Sequence, residues 1–381
     1  MQNDRSEWTD ERLERAIQVA ELPALLVTLA HITGDMALVD SELRPIPKPA
    51  PGALPRNGGM TPEQEARARE LGLAALKKFR DDGFRVETAD QNRLMALLGF
   101  FSEGVGEEYI PLLRQELNYP EDTGSPTWDW TQLVPDRTFK VAIVGAGQSG
   151  LVATHRLVQA GLDVTVFERN PDVGGVWWEN TYPGCRLDTP NFDYSFSFAQ
   201  RADWPEQYST GPEIQKYFRR VAEEFDLLRH IRFGLSVTKL EFLEDEGMWE
   251  VTSVDSGGNT QTELFNAVVS AMGQLNEPLI PDFPGLSSFE GPVMHTARWD
   301  HSIDLAGKKV AVVGTGASAF QVIPEIAPDC EHLVVFQRTA PWMYPTPGYR
   351  DEIPQDLQWL FTNLPFYARW YRFFQFWASV E

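Results

Sequence analysis

Lys140-Val141-Ala142-Ile143-Val144-Gly145-Ala146-Gly147-Gln148-Ser149-Gly150 carries the strongest structural signal in the chain. Residues 141–144 are an unbroken apolar run bounded by glycine, which reads as a strand buried on both faces. Gly145, Gly147 and Gly150 follow in the order G-x-G-x-x-G, and 151–160 reads as a helix. In that setting the first two glycines permit a tight turn and close approach of the backbone to a pyrophosphate at a helix N-terminus. The third permits close packing of the helix. Ser149 belongs to the same phosphate turn. A second strand over 163–168 ends on Glu168, eighteen residues after Gly150, where a carboxylate accepts from a ribose 2′-hydroxyl. The unit is a Rossmann-type dinucleotide site, and the reading assigns it FAD.

The same grammar returns downstream. A strand over 309–313 leads into Gly314-Thr315-Gly316-Ala317-Ser318-Ala319, then a helix over 320–326 and a strand over 333–336. Ala319 in place of the third glycine is within the motif's tolerance, and Ser318 and Gln321 face the turn. Eighteen residues beyond Ala319 stands Gln337, followed by Arg338 and Thr339, with no carboxylate. An acid there would repel a 2′-phosphate, whereas an arginine forks onto it and a threonine hydroxyl adds a donor. The second site is therefore expected to take NADPH. Two dinucleotides in one chain imply electron transfer between them, which narrows the class to flavoprotein reductases and flavoprotein monooxygenases. A disulfide reductase needs closely spaced cysteines, and Cys185 and Cys330 are far apart. Oxygen activation remains.

Upstream, residues 1–135 read as an all-helical extension, so the fold class is α/β: two Rossmann-type units behind a helical N-terminal region. Helices are expected from Thr9 with Asp10 as cap and Pro23 dividing the apolar run, over 61–79, over 91–101 and over 107–117. A Pro-rich connector over 45–51 separates them. Stripes such as Leu94, Met95, Leu97, Leu98 and Phe101 exceed what four short elements bury, so the extension is expected to dock on its own chain or to form a homodimer. The expected division is 1–135 helical extension, 136–275 FAD-binding domain and 276–381 the first part of an NADP-binding domain.

Composition sets the outer limits. The 381 residues hold 33 basic against 55 acidic side chains, net −22, which opposes binding to nucleic acid or anionic lipid. The apolar run over 22–30 is too short to span a bilayer, and an N-terminus with Asp4, Glu7 and Asp10 lacks a signal peptide's basic start. Two cysteines suit a reducing, cytoplasmic address. The six histidines show no ligand spacing, so no metal is expected.

Between the two units, Phe289-Glu290-Gly291-Pro292-Val293-Met294-His295-Thr296-Ala297-Arg298-Trp299-Asp300 resembles the FxGxxxHxxxW[P/D] fingerprint of type I Baeyer-Villiger monooxygenases. Gly174-Gly175-Val176-Trp177-Trp178-Glu179-Asn180-Thr181-Tyr182-Pro183-Gly184-Cys185-Arg186-Leu187-Asp188 resembles that family's flavin-contacting segment, and Ala271-Met272-Gly273-Gln274 its linker into the NADP domain. The helical extension is similar to that of the 4-hydroxyacetophenone monooxygenase subgroup.

The resemblance implies an FAD- and NADPH-dependent enzyme that inserts one oxygen atom of O2 beside a ketone carbonyl, with aryl ketones as the substrates. It places Val176, Trp177, Asp188 and Tyr194 along the flavin, Asp188 nearest the ring, Gln274 beside the NADP, and His295 on the hinge between domains. Asp188 and His295 are the catalytic candidates it supplies. An S- or N-oxygenating flavin monooxygenase shares both nucleotide sites and stays open, as does a non-catalytic flavin-binding fragment. The family's active-site arginine has no counterpart here and is expected beyond Glu381. The stretch 359–377, with ten aromatic residues in nineteen, is expected to lack its cover and to drive self-association.

Overall fold

The computed structural model describes residues 5–45, 56–101, 105–119, 121–343, 345–346 and 348–380. From residue 46 onward the Pro-rich connector lies outside the described residues. By contact the chain forms two compact units, one of Met1–Gly124, Asp188–Tyr208 and Met343–Glu381, the other of Ser125–Leu187 and Ser209–Trp342. The division expected at 135/136 and 275/276 follows nucleotide sites; by contact, residues 343–381 group with the N-terminal helices.

The first unit is helical: α1 (Asp10–Val19), α2 (Leu22–Thr33), α3 (Pro62–Asp81), α4 (Gln91–Phe101), α5 (Ile110–Leu117), the short α9 (Asn191–Tyr194), α12 (Gln355–Asn363) and α13 (Tyr367–Val380). Thr9 caps α1 by accepting from Arg12 N at 3.2 Å. Asp10, expected as the cap, is instead the first helical residue and pairs with Lys77 and Arg80 at 3.0 and 2.6 Å. Pro23 divides the apolar run as expected, because in the first turn of α2 its missing N–H costs no helical bond. Thr61 and Gln64 close a capping box at the start of α3. From Leu22 to Ile32 every residue of α2 is buried, Thr28 and His31 among them, so a mainly apolar helix runs through the interior of the unit.

The aromatic chain end is the main correction. Expected to lie exposed, it is covered by the N-terminal helices: Trp370 and Phe373 are fully buried, with α13 packed on α2 and α5. Trp359 meets Trp8 edge-on at 4.7 Å and donates through Nε1 to Glu7 at 3.1 Å. Trp377 meets Tyr109 edge-on at 5.0 Å, and Phe101 lies 5.2 Å from Phe374. Leu94, Leu97 and Leu98 are fully buried within the same chain, so the surface invoked for a homodimer is used internally. Each apolar face is the other's cover. Buried Arg372 of α13 adds polar closure, donating to Glu116 at 2.5 Å and to the carbonyls of Phe192, Asp193 and Ser195.

The second unit is α/β. After α6 (Trp130–Leu133) come β1 (Lys140–Val144), α7 (Gln148–Gln159), β2 (Asp163–Glu168), α8 (Val176–Glu179), α10 (Gly211–Glu224), β3 (Ile231–Phe233), β4 (Leu235–Leu243), β5 (Met248–Asp255), β6 (Thr260–Phe265) and β7 (Ala267–Ser270). A parallel sheet of order β3-β2-β1-β7 puts β1 in the interior, with Val141 to Val144 buried as the apolar run requires. The antiparallel meander β4-β5-β6, which was not read from the sequence, joins it through Ala142, Phe167, Val251 and Phe265. Then follow β8 (Lys309–Val313), α11 (Ala317–Ile326) and β9 (His332–Phe336), with β8 and β9 paired in parallel. Strands 140–144, 163–168 and 309–313 fall where expected. Helices α7 and α11 each begin three residues earlier, because the Gly-rich turn supplies their first residues.

Candidate dinucleotide sites and their junction

Two of the glycines in the first Gly-rich turn, Gly145 and Gly150, are required by close backbone contacts. Gly145 has φ +103°, and a Cβ there would stand 2.8 Å from Ala271 O. On Gly150 a Cβ would meet Gly145 O at 1.9 Å, so no side chain fits between helix and turn. Gly147 faces Gly175, where a Cβ would come 3.1 Å from Gly147 Cα. Gly174 N donates to Ala146 O at 3.1 Å, which lays the Gly174-Gly175 corner and α8 beside the turn. Gly147 is the N-cap of α7 and carries no side chain over the first-turn N–H groups, and Ser149 is exposed in that turn. Glu168 is buried at the end of β2; its Oε2 accepts from Ala146 N at 2.6 Å and its Oε1 from Asn170 N at 2.8 Å. A carboxylate has about four lone-pair directions, so acceptor capacity remains.

The second turn repeats the first in backbone. Gly314 has φ +104°, and Gly316 caps α11 at φ −73°, ψ −179° against −75°, −168° for Gly147. Unlike the first, it is open: a Cβ on Gly314 or Gly316 meets nothing within 4 Å. Thr315 Oγ1 accepts from Gln337 Nε2 at 3.0 Å and donates to Thr339 O at 3.4 Å, tying the turn to the chain after β9. Arg338 is exposed there, and Ser318 lies half-buried in the first turn of α11.

Gln321 points elsewhere than its motif suggests. Its Oε1 accepts from Tyr182 Oη at 2.8 Å and its Nε2 donates to Arg186 O at 2.9 Å, so α11 grips the segment after α8. Gly184 is glycine for this reason, since a Cβ would lie 2.8 Å from Gln321 O. Around this contact Tyr182, Cys185, Val322 and Ile326 form a core that Trp177 and Trp299 pack against. Burial raises the Cys185 thiol above its ordinary value, opposed by Tyr182. His295 caps a short turn, its Nδ1 accepting from Ala297 N at 3.1 Å, which leaves a neutral ring's proton on Nε2. Val176 opens α8, and Gln274 is exposed after β7. Asp188 and Tyr194 belong to the helical unit, Asp188 exposed and Tyr194 in α9.

Sequence reading missed a charge cluster. Glu179 Oε1 accepts from Arg169 Nη2 at 2.7 Å and Asn170 Nδ2 at 3.0 Å, and Oε2 from Arg298 Nη1 at 3.3 Å. Arg169 also pairs with Glu277, which lowers the Glu277 carboxyl. Arg298 reaches Asn276 O at 3.4 Å and His301 Nε2 lies 2.9 Å from Thr181 Oγ1.

The geometry agrees with the chain's relatives. The profile of the flavin-binding monooxygenase-like family matches residues 138–357. The chain belongs to that family. Within it, the chain is similar to the uncharacterized monooxygenase y4iD of Sinorhizobium fredii, 32% identical over 368 residues, 95% of this chain and 54% of the relative. That match takes in most of the N-terminal helices. A Baeyer-Villiger monooxygenase of Streptomyces coelicolor is 44% identical over 207 residues, 54% of this chain and 39% of its own. Among solved structures, NADP+-bound cyclohexanone monooxygenase from Rhodococcus sp. Phi1 superposes with TM-score 0.53 at 38% identity, over 60% of this chain and 43% of that one. The flavin-binding monooxygenase-like chain thus spans about half the length, or less, of the relatives it matches.

Proposed function

We propose that this chain carries the FAD and NADPH sites of a Baeyer-Villiger monooxygenase, which inserts one oxygen atom of O2 beside a ketone carbonyl to give an ester or lactone, aryl ketones being its substrates. The supporting observation is the pair of Gly-rich turns with one backbone conformation in one unit. The first ends on a buried carboxylate; the second ends on an exposed arginine with no acid. The fingerprint residues 289–300 lie between them, with Trp299 packed on the core beside α11.

The first turn fits FAD, since Gly145 and Gly150 allow its tight backbone, Gly147 leaves the first-turn N–H groups of α7 without a side-chain cap, and Glu168 keeps an oxygen lone pair for a ribose hydroxyl. Gly145, Gly147, Ser149 and Gly150 would hold the pyrophosphate, and Val176 and Trp177 the ring; Asp188 and Tyr194 are assigned to the ring by the family resemblance alone. Gly314, Thr315, Gly316, Ser318, Arg338 and Thr339 would hold NADPH, with Gln274 at its edge and His295 setting the fingerprint turn, while Gln321 fastens α11 to the 182–186 segment. Bound and reduced, the flavin supplies the activation of O2. The chain's own residues bind the two nucleotides, fix their phosphates by backbone N–H groups and exclude water around Trp177 and Trp299. The FAD site then lies within 136–275 and the NADP site within 276–342, while residues 343–381 belong with the N-terminal helices. No described helix is long and apolar enough to cross a membrane. From the two free cysteines we place the protein in the cytoplasm.

Arg338→Ala tests the second site. Loss of a charge-assisted bond to the 2′-phosphate is expected to weaken NADP+ binding about tenfold while leaving NAD+ unchanged. Equal effects on both would remove Arg338 from the site. For the reaction class, ester from an aryl ketone is the expected product, and oxygenation of a thioether alone would favour the S-oxygenating reading.

A further inference from the structure

The cluster around Glu179 joins four stretches of chain that no motif connects. Arg169 and Asn170 directly follow Glu168, the acid of the first site. Glu179 ends α8, which lies beside the first turn. Asn276 and Glu277 belong to the linker after β7, and Arg298 stands in the fingerprint between His295 and Trp299. Glu179 sits at the centre, with a side chain only 10% exposed, and shares its two oxygens between two guanidinium groups. Because a carboxylate so enclosed needs its partners to offset lost hydration, displacing either arginine leaves it under-solvated. Arg298 is bound by Glu179, by Ala297 O at 2.7 Å and by Asn276 O at 3.4 Å, so the fingerprint turn and the linker are fastened to one point.

We propose that Glu179 is a positioning residue that holds the fingerprint turn, through Arg298, against the rim of the first nucleotide site. It thereby sets the pose of the segment that precedes the second site. The role in NADP+ binding rests on the function proposed above; the tether itself does not. Arg298 occupies one of the fingerprint's free positions and Glu179 lies outside every glycine motif, so the pattern itself does not prescribe the pair. The neighbouring contacts have separate roles: Trp299 supplies apolar packing and His301 a hydrogen bond to Thr181.

The experiment uses Glu179→Gln, Arg298→Met and the double variant of the full chain. Hydrogen exchange is followed over 289–300, and binding of FAD and NADP+ is followed by calorimetry. Each single variant should raise exchange in 289–300 about three- to fivefold, the scale of one partly exposed ion pair, and the double variant no further. NADP+ should bind several-fold more weakly while FAD affinity stays within error, a split that general loss of structure would not produce. If Glu179→Gln fails to fold, Arg298→Met alone carries the test, because it leaves the Arg169–Glu179 pair intact. Unaltered exchange over 289–300 in the singles, or additive effects in the double variant, would overturn the tether. Failure of the unaltered chain to bind NADP+ would overturn the proposed function instead, with the exchange measurement still deciding the tether.

Discussion

Glu168 joins a structural role to the ribose contact proposed for it, and mutation will mix the two. The sequence places it as a ribose acceptor; the structure adds that it satisfies Ala146 N, inside the turn, and Asn170 N, at the foot of the Glu179 cluster. Glu168→Ala would therefore strip partners from two backbone donors as well as from a ligand. Unfolding of the nucleotide-binding unit should cost about 1 to 3 kcal/mol less in the variant even without FAD, the range for one unpaired buried donor. Glu168→Gln keeps an acceptor and should recover more than half of that while still weakening FAD. Denaturant titration of both variants without flavin makes the check, and equal stability of Glu168→Ala and the parent would show that the two bonds carry little. Spacing made the position legible; the bond to Ala146 was not, because nothing in a sequence says which N–H a buried carboxylate meets.

At the scale of elements, the helical unit gathers three titratable groups, His31 buried and Glu21 and Asp193 half-buried, with opposite pH signatures. Burial lifts the Glu21 carboxyl to about 7, against the bonds it draws from Asn57 and Gly58. It lifts Asp193 to about 7 as well, with Arg372 opposing and Glu116 reinforcing. Burial beside Arg93 lowers His31 to about 4, and its Nδ1 accepts from Trp370 Nε1 at 3.0 Å. The carboxyls, raised on folding, contribute stability that is complete below their unfolded values and lost as pH rises through 7. His31, depressed on folding, contributes stability present above 6.5 and lost as pH falls toward 4. Between about pH 4.5 and 6.5 the folded unit then holds two extra carboxyl protons and lacks one imidazole proton. The carboxyls win, so stability should fall as pH rises, by at most about 1.4 kcal/mol per unit. Glu21→Gln leaves one group of each sign and should flatten the slope. Melting curves at pH 4.5, 5.5 and 6.5 decide, and a parent that gains stability toward pH 6.5 would reverse the assignment.

The helices themselves were legible because caps, Pro23 and the 3.6-residue stripes are local signals, and 91–101 falls where α4 does. What covers the stripes was not. Whether residues 359–377 bury themselves against Trp8, His31 and Phe101 depends on contacts more than 250 positions apart in sequence, on which periodicity is silent. The meander β4-β5-β6 was missed for a different reason: most of β4 and of β6 is exposed, and polar residues interrupt all three strands, so no apolar run marks it.

Across the whole molecule the two nucleotide units differ in how much of the parallel sheet they build. β1 has a neighbour on each side, β2 and β7, whereas among the described residues β8 pairs only with β9. Parallel strands are stable when covered on both faces, yet Val313 is 62% exposed and Phe336 57%. Val334, Val335, Phe320 and Trp342 add exposed apolar surface nearby, beyond what a single scattered residue would mean.

Exposed strand edges of this kind template pairing with another chain. The apolar surface prone to self-association is thus at β8 and β9, while the aromatic helix α13 is covered. A net charge of −22 opposes that association through repulsion between copies, and salt screens repulsion over about 10 Å at 0.1 M while leaving the apolar attraction in place. The 381-residue chain should accordingly bind a hydrophobic dye and sediment as oligomers whose fraction grows with salt. Val334→Lys with Phe336→Lys should suppress both at little cost in stability, since both side chains are already exposed and such substitutions usually fall within about 0.5 kcal/mol. Trp370→Ala should raise dye binding by opening the helical unit. A chain that stays monomeric at high salt, or oligomers unaffected by the two lysines, would place the sticky surface elsewhere.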